Sequence, residues 1–330
     1  MVELSIENNP WSEAGWKDQA SEWITKELTH RGNVLIGPIE EVQNTIWSYV
    51  SKVPTSTGYY YFKAVTASLS HEVPLTALLA EIAPTFVPEV IVADTQRNWL
   101  LLRDGGQTLK SVTRADGDMT RWEEMVRHLA CLQIQMIAQK ERLLATGIFD
   151  RRLHVLPQLY TEALENTLLL LIGEGGLREG ELEQLHAFAP QVHEMCEALA
   201  AYHIPETLHH DDLGAGNVLV NGERCLFFDW SDSAVAHPFF TLMIVLRYAE
   251  AVFECGEETL ERITVAYLSC WTKYEPMERL REALALALRL AKLCRALSWQ
   301  HILGHLTPQQ RGEYADSFPY WLQVFLGTEE

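Results

Sequence analysis

The sequence predicts an α+β fold in two lobes: a small, largely antiparallel sheet with one helix, then a larger and mainly helical part. Three observations predict it. Short runs rich in β-branched and aromatic residues, parted by turn residues, crowd the first hundred positions. Beyond "DGGQTL" nearly every segment repeats its apolar residues at helical spacing. The exception there is a tight hairpin, "NVLV" and "CLFFDW", turning on Asn221-Gly222. With 330 residues, 48% of them hydrophobic, the chain has material for one large or two modest cores.

Asn9-Pro10 offers a capping side chain and a first-turn proline, so a helix is expected over residues 10–30. Trp16, Ala20, Trp23 and Ile24 recur along it at helical spacing, and Gly32 closes it. Strands are expected at "NVLIGPIEEV", "TIWSYVSKV" and "GYYYFKAVT", the last two joined by "PTSTG". "HEVPLTALLAEIAP" reads as a short helix before Pro84, and "VPEVIVAD" and "NWLLLRD" as two further strands. The sheet lobe is thereby expected to span residues 1–104. Helical periodicity then runs through "RWEEMVRHLACLQIQMIAQKERLLA", "LPQLYTEALENTLLLLI", "PQVHEMCEALAAYH" and most of the chain beyond His237. Residues 105–330 form the expected helical lobe, with the hairpin inside it.

The formal net charge is −19, which argues against a nucleic-acid or anionic-membrane surface, since either needs a basic face. It suits a neutral or cationic small-molecule partner. Six cysteines stand apart with no CxxC pair, as expected for buried free thiols in a reducing compartment. The start, "MVELSIENNPW", has no apolar stretch of the signal-peptide kind. The most apolar helix, "REALALALRLAKLCRALSW", carries five basic or acidic residues and is no membrane span. A cytoplasmic protein is expected.

The chemistry concentrates in "LHHDDLGAGNVLVNGERCLFFDW", Leu208 to Trp230. Adjacent carboxylates repel, and a carboxylate among apolar residues is costly unless a cation meets it. His210-x-Asp212-x-x-x-x-Asn217 has the spacing of a kinase catalytic loop, where the aspartate takes a hydroxyl proton and the asparagine holds magnesium. The hairpin then delivers Asp229, a second oxygen ligand of the kind magnesium favours beside phosphates. Gly214 and Gly216 suit a tight loop.

On these residues the sequence resembles the aminoglycoside phosphotransferase and choline kinase group, the small-molecule relatives of protein kinases. "HDDLGAGNVLV" and "FFDW" follow that group's pattern of H-G-D-x-x-x-x-N, a hairpin, then an apolar residue, Asp and Trp. The resemblance runs in order from the first strands to about Leu242 and implies a bilobal protein-kinase-like fold. It implies Asp212 as catalytic base, Asn217 and Asp229 as magnesium ligands, and His210 as a support of the loop. Two positions depart from the pattern: Asp211 stands where the group has glycine, and Thr241 where it has aspartate. Spacing to Asn217 selects Asp212 over Asp211.

The first lobe is then expected to supply the nucleotide contacts. Lys63, on a strand among aromatics, is placed to reach the α/β-phosphates of ATP or GTP. Glu72 is its expected partner, with Glu81 the alternative. Backbone groups near Leu102 and Arg103 are expected at an adenine edge, and Gly105-Gly106 at a hinge between the lobes. No glycine occurs in "EEVQNTIWS", where kinases often have them, so backbone amides of residues 44–48 or the Ser48 hydroxyl are the expected phosphate contacts.

The leading expectation is a magnesium-dependent kinase moving the γ-phosphoryl of a nucleotide to a hydroxyl of a small molecule, a cationic one being favoured by the acidic balance. A nucleotide-binding regulator without turnover is the alternative. A metal-dependent phosphohydrolase, suggested by His210-Asp211, ranks below it, because the other histidines lack ligand spacing. Trp230, Trp271 and Trp299 are candidate cation–π faces, and Asp232, Glu254 and Glu257 candidate acidic walls, for the acceptor. The sequence leaves the acceptor and the oligomeric state open.

Overall fold

The computed structural model describes residues 9–173 and 175–328. They sort into two compact units, one comprising 9–109 and Asn217–Ser231, the other Lys110–Gly216 and 232–328.

The first unit is built on five antiparallel strands: β1 (Glu40–Asn44), β2 (Ser48–Thr55), β3 (Gly58–Val65), β4 (Val90–Asp94) and β5 (Trp99–Arg103), in the order β1-β2-β3-β5-β4. Helix α1 (Trp16–His30) buries Trp16, Ala20, Ile24 and Leu28, one stripe at four-residue spacing, against Tyr49, Phe62, Trp99 and Leu101. The rings meet edge to face, Trp16 and Trp99 at 5.7 Å and Phe62 and Trp99 at 5.4 Å between centroids. Side chains alternate across a strand. Residues next to those just named therefore face the other way, and Val65 and Leu100 pack with Val73 of helix α2 (Glu72–Ile82). Lys63 is paired with Leu100 in the ladder and shares that second face.

Two boundaries differ from the periodicity. Pro10–Ser12 is a separate 3₁₀ turn, and α1 begins at Trp16 after Gly15 in the left-handed region, φ 82°. The first strand starts at Glu40. Ahead of it Leu35 makes one bridge to Thr55, and Gly37-Pro38 interrupts pairing because proline has no amide to donate.

The hairpin Val218–Asn221 and Arg224–Phe227 turns on Gly222-Glu223, with Gly222 at φ 63°; Asn221, expected in the turn, instead ends its strand and pairs with Arg224. The short strand Gln107–Thr108 pairs with it, and Phe227 donates its amide to Phe86 O at 2.7 Å. A Cβ at Gly105 would stand 2.6 Å from Leu219 Cδ1, and one at Gly106 2.7 Å from Val220 O. The glycine pair thus lets the backbone lie against the hairpin, and Gly106 also takes φ 110°.

The second unit is mainly helical, with Thr120–Met136, Thr241–Phe253, Glu257–Ser269, the long Met277–Gly304 and Ser317–Leu326. It also holds a three-stranded sheet absent from the sequence reading: Phe149–Asp150, Ser233–Ala236 and Thr207–His210, with Ser233–Ala236 in the middle. The latter two strands are buried at every residue, so neither carries the polar alternation that betrays a half-exposed strand. The cysteines are free thiols; Cys196, Cys225 and Cys294 are buried as expected, while Cys131 is exposed and Cys255 and Cys270 are half-buried. Among the described residues no helix is long and apolar enough to cross a membrane.

Candidate active site

Two clusters of functional side chains emerge, one in each unit. In the sheet unit, Lys63 Nζ lies 2.7 Å from Glu72 Oε1 and 2.7 Å from Asp229 Oδ1. The local cause is plain: β3 presents Lys63 on the face that α2 covers, and α2 opens with Glu72. Burial works against the ammonium, but the carboxylates of Asp229 and Glu72 outweigh it and hold the lysine pKa above its ordinary value. Burial pushes the Glu72 carboxyl up to about 7, opposed by Lys63 and by a hydrogen bond from the Trp230 backbone. Glu81, the alternative partner, lies exposed nine residues further along α2.

Asp229 follows the hairpin with φ 65°, a left-handed backbone that aspartate tolerates better than most residues. It also accepts from Ser231 Oγ at 3.2 Å. His71, buried just before α2, meets the Ser231 carbonyl with Nε2 at 2.6 Å; a carbonyl only accepts, so the ring donates. This bond ties the start of α2 to the segment after Asp229. The Asn217 carbonyl accepts from Phe228 N at 3.2 Å, which brings the start of the hairpin beside its end.

The second cluster surrounds residues 209–212 in the helical unit. His210 is buried and its Nδ1 accepts from the Asp212 amide at 3.3 Å. Asp211 is wholly buried. Its carboxylate meets Arg151 Nη1 at 3.2 Å, His209 Nε2 at 3.1 Å and the Ser298 hydroxyl. Burial works to raise its pKa, but His209, Arg151 and Arg295 hold it below the usual carboxylate range. Asp212, by contrast, keeps 45% of its side chain exposed and meets Arg295 Nη2 at 2.8 Å.

Thr241, standing where an aspartate was expected, is part of this framework. Its hydroxyl lies 2.8 Å from His209 Nδ1 and accepts from the His210 amide and from Gln133 Nε2, each at 3.3 Å. Gln133 also donates to Leu208 O at 3.0 Å and Pro238 O at 3.1 Å. His237 is buried and neutral, its pKa pushed down to about 3 by burial, and Nδ1 accepts from Phe239 N. Gly214 has a packing reason: a Cβ there would stand 2.8 Å from the Tyr248 ring.

The remaining expected positions are engaged within the sheet unit. The Ser48 hydroxyl is buried in the β1–β2 turn, accepting from Gln43 Nε2 at 3.2 Å and lying 3.3 Å from Thr45 Oγ1. Leu102 packs its side chain on the α2 face of the sheet. Arg103 donates its amide to Glu89 O at 2.9 Å and its Nε to Glu89 Oε2 at 2.6 Å. In the helical unit Asp232 is buried against Arg295, and Glu254 and Glu257 are exposed.

Sequence reasoning missed His71, Gln133, Arg151, Arg295 and Ser298. One signal was available. Ala283, Ala287 and Ala291 mark a buried stripe along the long helix, and Arg295 continues it at the same four-residue step. A charge in phase with an apolar stripe requires a buried partner.

Asn217 and Asp229 offer only hard oxygen ligands, and Asp229 keeps a third of its side chain, 35%, open. That donor set fits magnesium, which takes one or two protein oxygens and completes its shell with phosphate and water. Among the described residues no group of three or more His, Cys, Asp or Glu is arranged to hold a metal.

The chain is similar to solved structures over nearly its whole length. A choline/ethanolamine kinase family protein from Mesorhizobium loti is 19% identical, with a TM-score of 0.59, covering 94% of this chain and 94% of that one. Choline kinase from Cryptosporidium parvum is 12% identical, with a TM-score of 0.66, covering 94% and 95%. A GDP complex of an aminoglycoside 2'-phosphotransferase is 16% identical, with a TM-score of 0.58, covering 93% and 96%. These likenesses establish the protein-kinase-like fold. No curated protein sequence matches. The model of the phosphotransferase enzyme family matches residues 61–282, a span that opens before Lys63 and closes after the hairpin and the catalytic loop, and the chain belongs to that family.

Proposed function

We propose that the protein is a magnesium-dependent kinase that transfers the γ-phosphoryl group of ATP or GTP to a hydroxyl of a small molecule. The observation that carries this reading is the buried lysine held 2.7 Å from each of two carboxylates, Glu72 and Asp229. Such a lysine is fixed in place and stays charged, which suits it to orient phosphate oxygens. Residues 1–104, with the hairpin Asn217–Ser231, bind the nucleotide; the rest of 105–330 carries the base and the acceptor.

Asn217 and Asp229 would hold magnesium, which when bound neutralises charge on the transferring phosphate. Asp212 accepts the acceptor's hydroxyl proton as the oxygen–phosphorus bond forms and the bond to the leaving nucleoside diphosphate breaks. Its exposure suits that task, while Asp211 is enclosed by Arg151, His209 and Ser298. The names of the similar structures, which include choline and ethanolamine kinases, support a small hydroxyl compound bearing an amine as acceptor. The GDP complex supports a purine nucleotide as donor.

The test is a panel of hydroxyl compounds, amino alcohols and amino sugars included, offered with magnesium-ATP and magnesium-GTP and scored by release of ADP or GDP. Acceptor-dependent release that Asp212→Ala abolishes supports the kinase. Nucleotide binding without turnover on any acceptor would instead favour a regulator.

A further inference from the structure

We propose that Arg295 is the positioning residue for the catalytic base, an inference that rests on the reading of Asp212 as that base. The long helix Met277–Gly304 carries Arg295 on its buried stripe, and the side chain is only 10% exposed. Its guanidinium is fixed at three points. Nη2 donates to Asp212 Oδ1 at 2.8 Å, and Nη1 donates to Asp232 Oδ2 at 2.9 Å and to the Asp211 carbonyl at 3.2 Å. The Trp299 ring lies one turn on, with Arg295 Cζ over it at 5.5 Å from its centroid.

A planar fork anchored on a second carboxylate and on the loop backbone defines where the first carboxylate sits. The geometry matters because Asp212 sits on a loop with 45% of its side chain exposed. Three carboxylates, Asp211, Asp212 and Asp232, share this region, and Arg151 and Arg295 are the guanidiniums that meet them. Arg151 serves the buried Asp211; Arg295 serves the exposed Asp212 and is itself oriented by Asp232. Ser298, one turn along the same helix, bonds Asp211. The helix thus grips both adjacent aspartates while leaving one of them open.

The experiment compares Arg295→Met, Arg295→Lys and Asp232→Asn in the full chain, with magnesium-nucleotide and the best acceptor of the panel. Arg295→Met is expected to lower kcat about 10²-fold, the scale of a misplaced catalytic group, with the nucleotide KM within about threefold of the parent. The split follows because Lys63, Glu72, Asn217 and Asp229 belong to the other unit. Arg295→Lys is expected to recover about tenfold of that loss, since an ammonium reaches Asp212 but cannot fork to Asp232 as well. Should Arg295→Met fail to fold by thermal melting, Arg295→Lys and Asp232→Asn carry the test, each lowering kcat about tenfold at unchanged nucleotide KM. Unchanged kcat in the folded variants, or losses that only track a lower Tm, would overturn the proposal while leaving Asp212 as base. A parent protein inert towards every acceptor overturns the base reading, and Arg295's role with it.

Discussion

Asp211 and Asp212 differ by one position and by almost everything else. Asp211 is enclosed with Arg151, His209 and Ser298; Asp212 meets Arg295 and stays open on nearly half its side chain. Exposed catalytic groups and buried ion pairs fail in different ways on substitution. Asp212→Ala is expected to cut phosphoryl transfer by 10³-fold or more with the unfolding midpoint nearly unchanged. Asp211→Asn leaves the Arg151 charge in a buried setting without its counter-charge and is expected to lower stability by about 3 kcal/mol. Rates and urea unfolding measured on both variants would separate the two roles. The sequence singles out Asp212 through its spacing to Asn217, a pattern contained in one short stretch of chain. It gave no hint that Arg151 and Ser298, 60 and 87 positions away, would close around Asp211. Lys63 and Glu72 lie between these extremes: nine residues apart, they are joined by a strand running into a helix, which periodicity can read.

At the scale of elements, legibility follows exposure. Four strands of the first sheet lie within or beside the runs that predict them; β1, exposed at every residue, was expected from residue 33 and begins only at Glu40. The strands Thr207–His210 and Ser233–Ala236 are buried on both faces and four residues long, so period-two patterning has nothing to act on. Helix contacts made by single polar residues are harder still. Glu181, at the start of helix Glu181–Ala187, accepts from Gln323 Nε2 at 2.9 Å, from Thr328 Oγ1 at 2.8 Å and from Arg178 Nη2 at 2.8 Å. Burial acts to raise its pKa, but these bonds overcome it and pull the carboxyl down to about 2. A pKa below the ordinary 4.5 stabilises the fold above pH 4.5, and that stability is lost as pH falls towards 2. Glu181→Gln should therefore cost about 2 kcal/mol at pH 7, with the difference from the parent shrinking as pH falls below 4.5 and vanishing only below about 2. Unfolding curves across that range check the sign.

At the scale of the whole molecule, a ligand that binds only the folded state raises Tm by mass action. At a hundred times its Kd, magnesium-nucleotide adds about 2.7 kcal/mol, a shift of several degrees for a chain of this size. The shift is expected to need magnesium and to disappear in Asp229→Asn, both readable by scanning calorimetry. The formal charge of −19 contributes to none of this chemistry directly.

The pairing of Lys63 with Asp229 spans 166 positions, and the hairpin that carries Asp229 supplies the strand against which Gln107–Thr108 and Gly106 pack. The sheet-bearing half is therefore assembled from two separated stretches of chain. Protein synthesis delivers the first long before the second, so until residue 231 emerges the lysine has only one of its two counter-charges. A polypeptide cut after Leu109 should consequently be a poor autonomous folder, and its amide protection should rise on adding a synthetic peptide of residues 217–231.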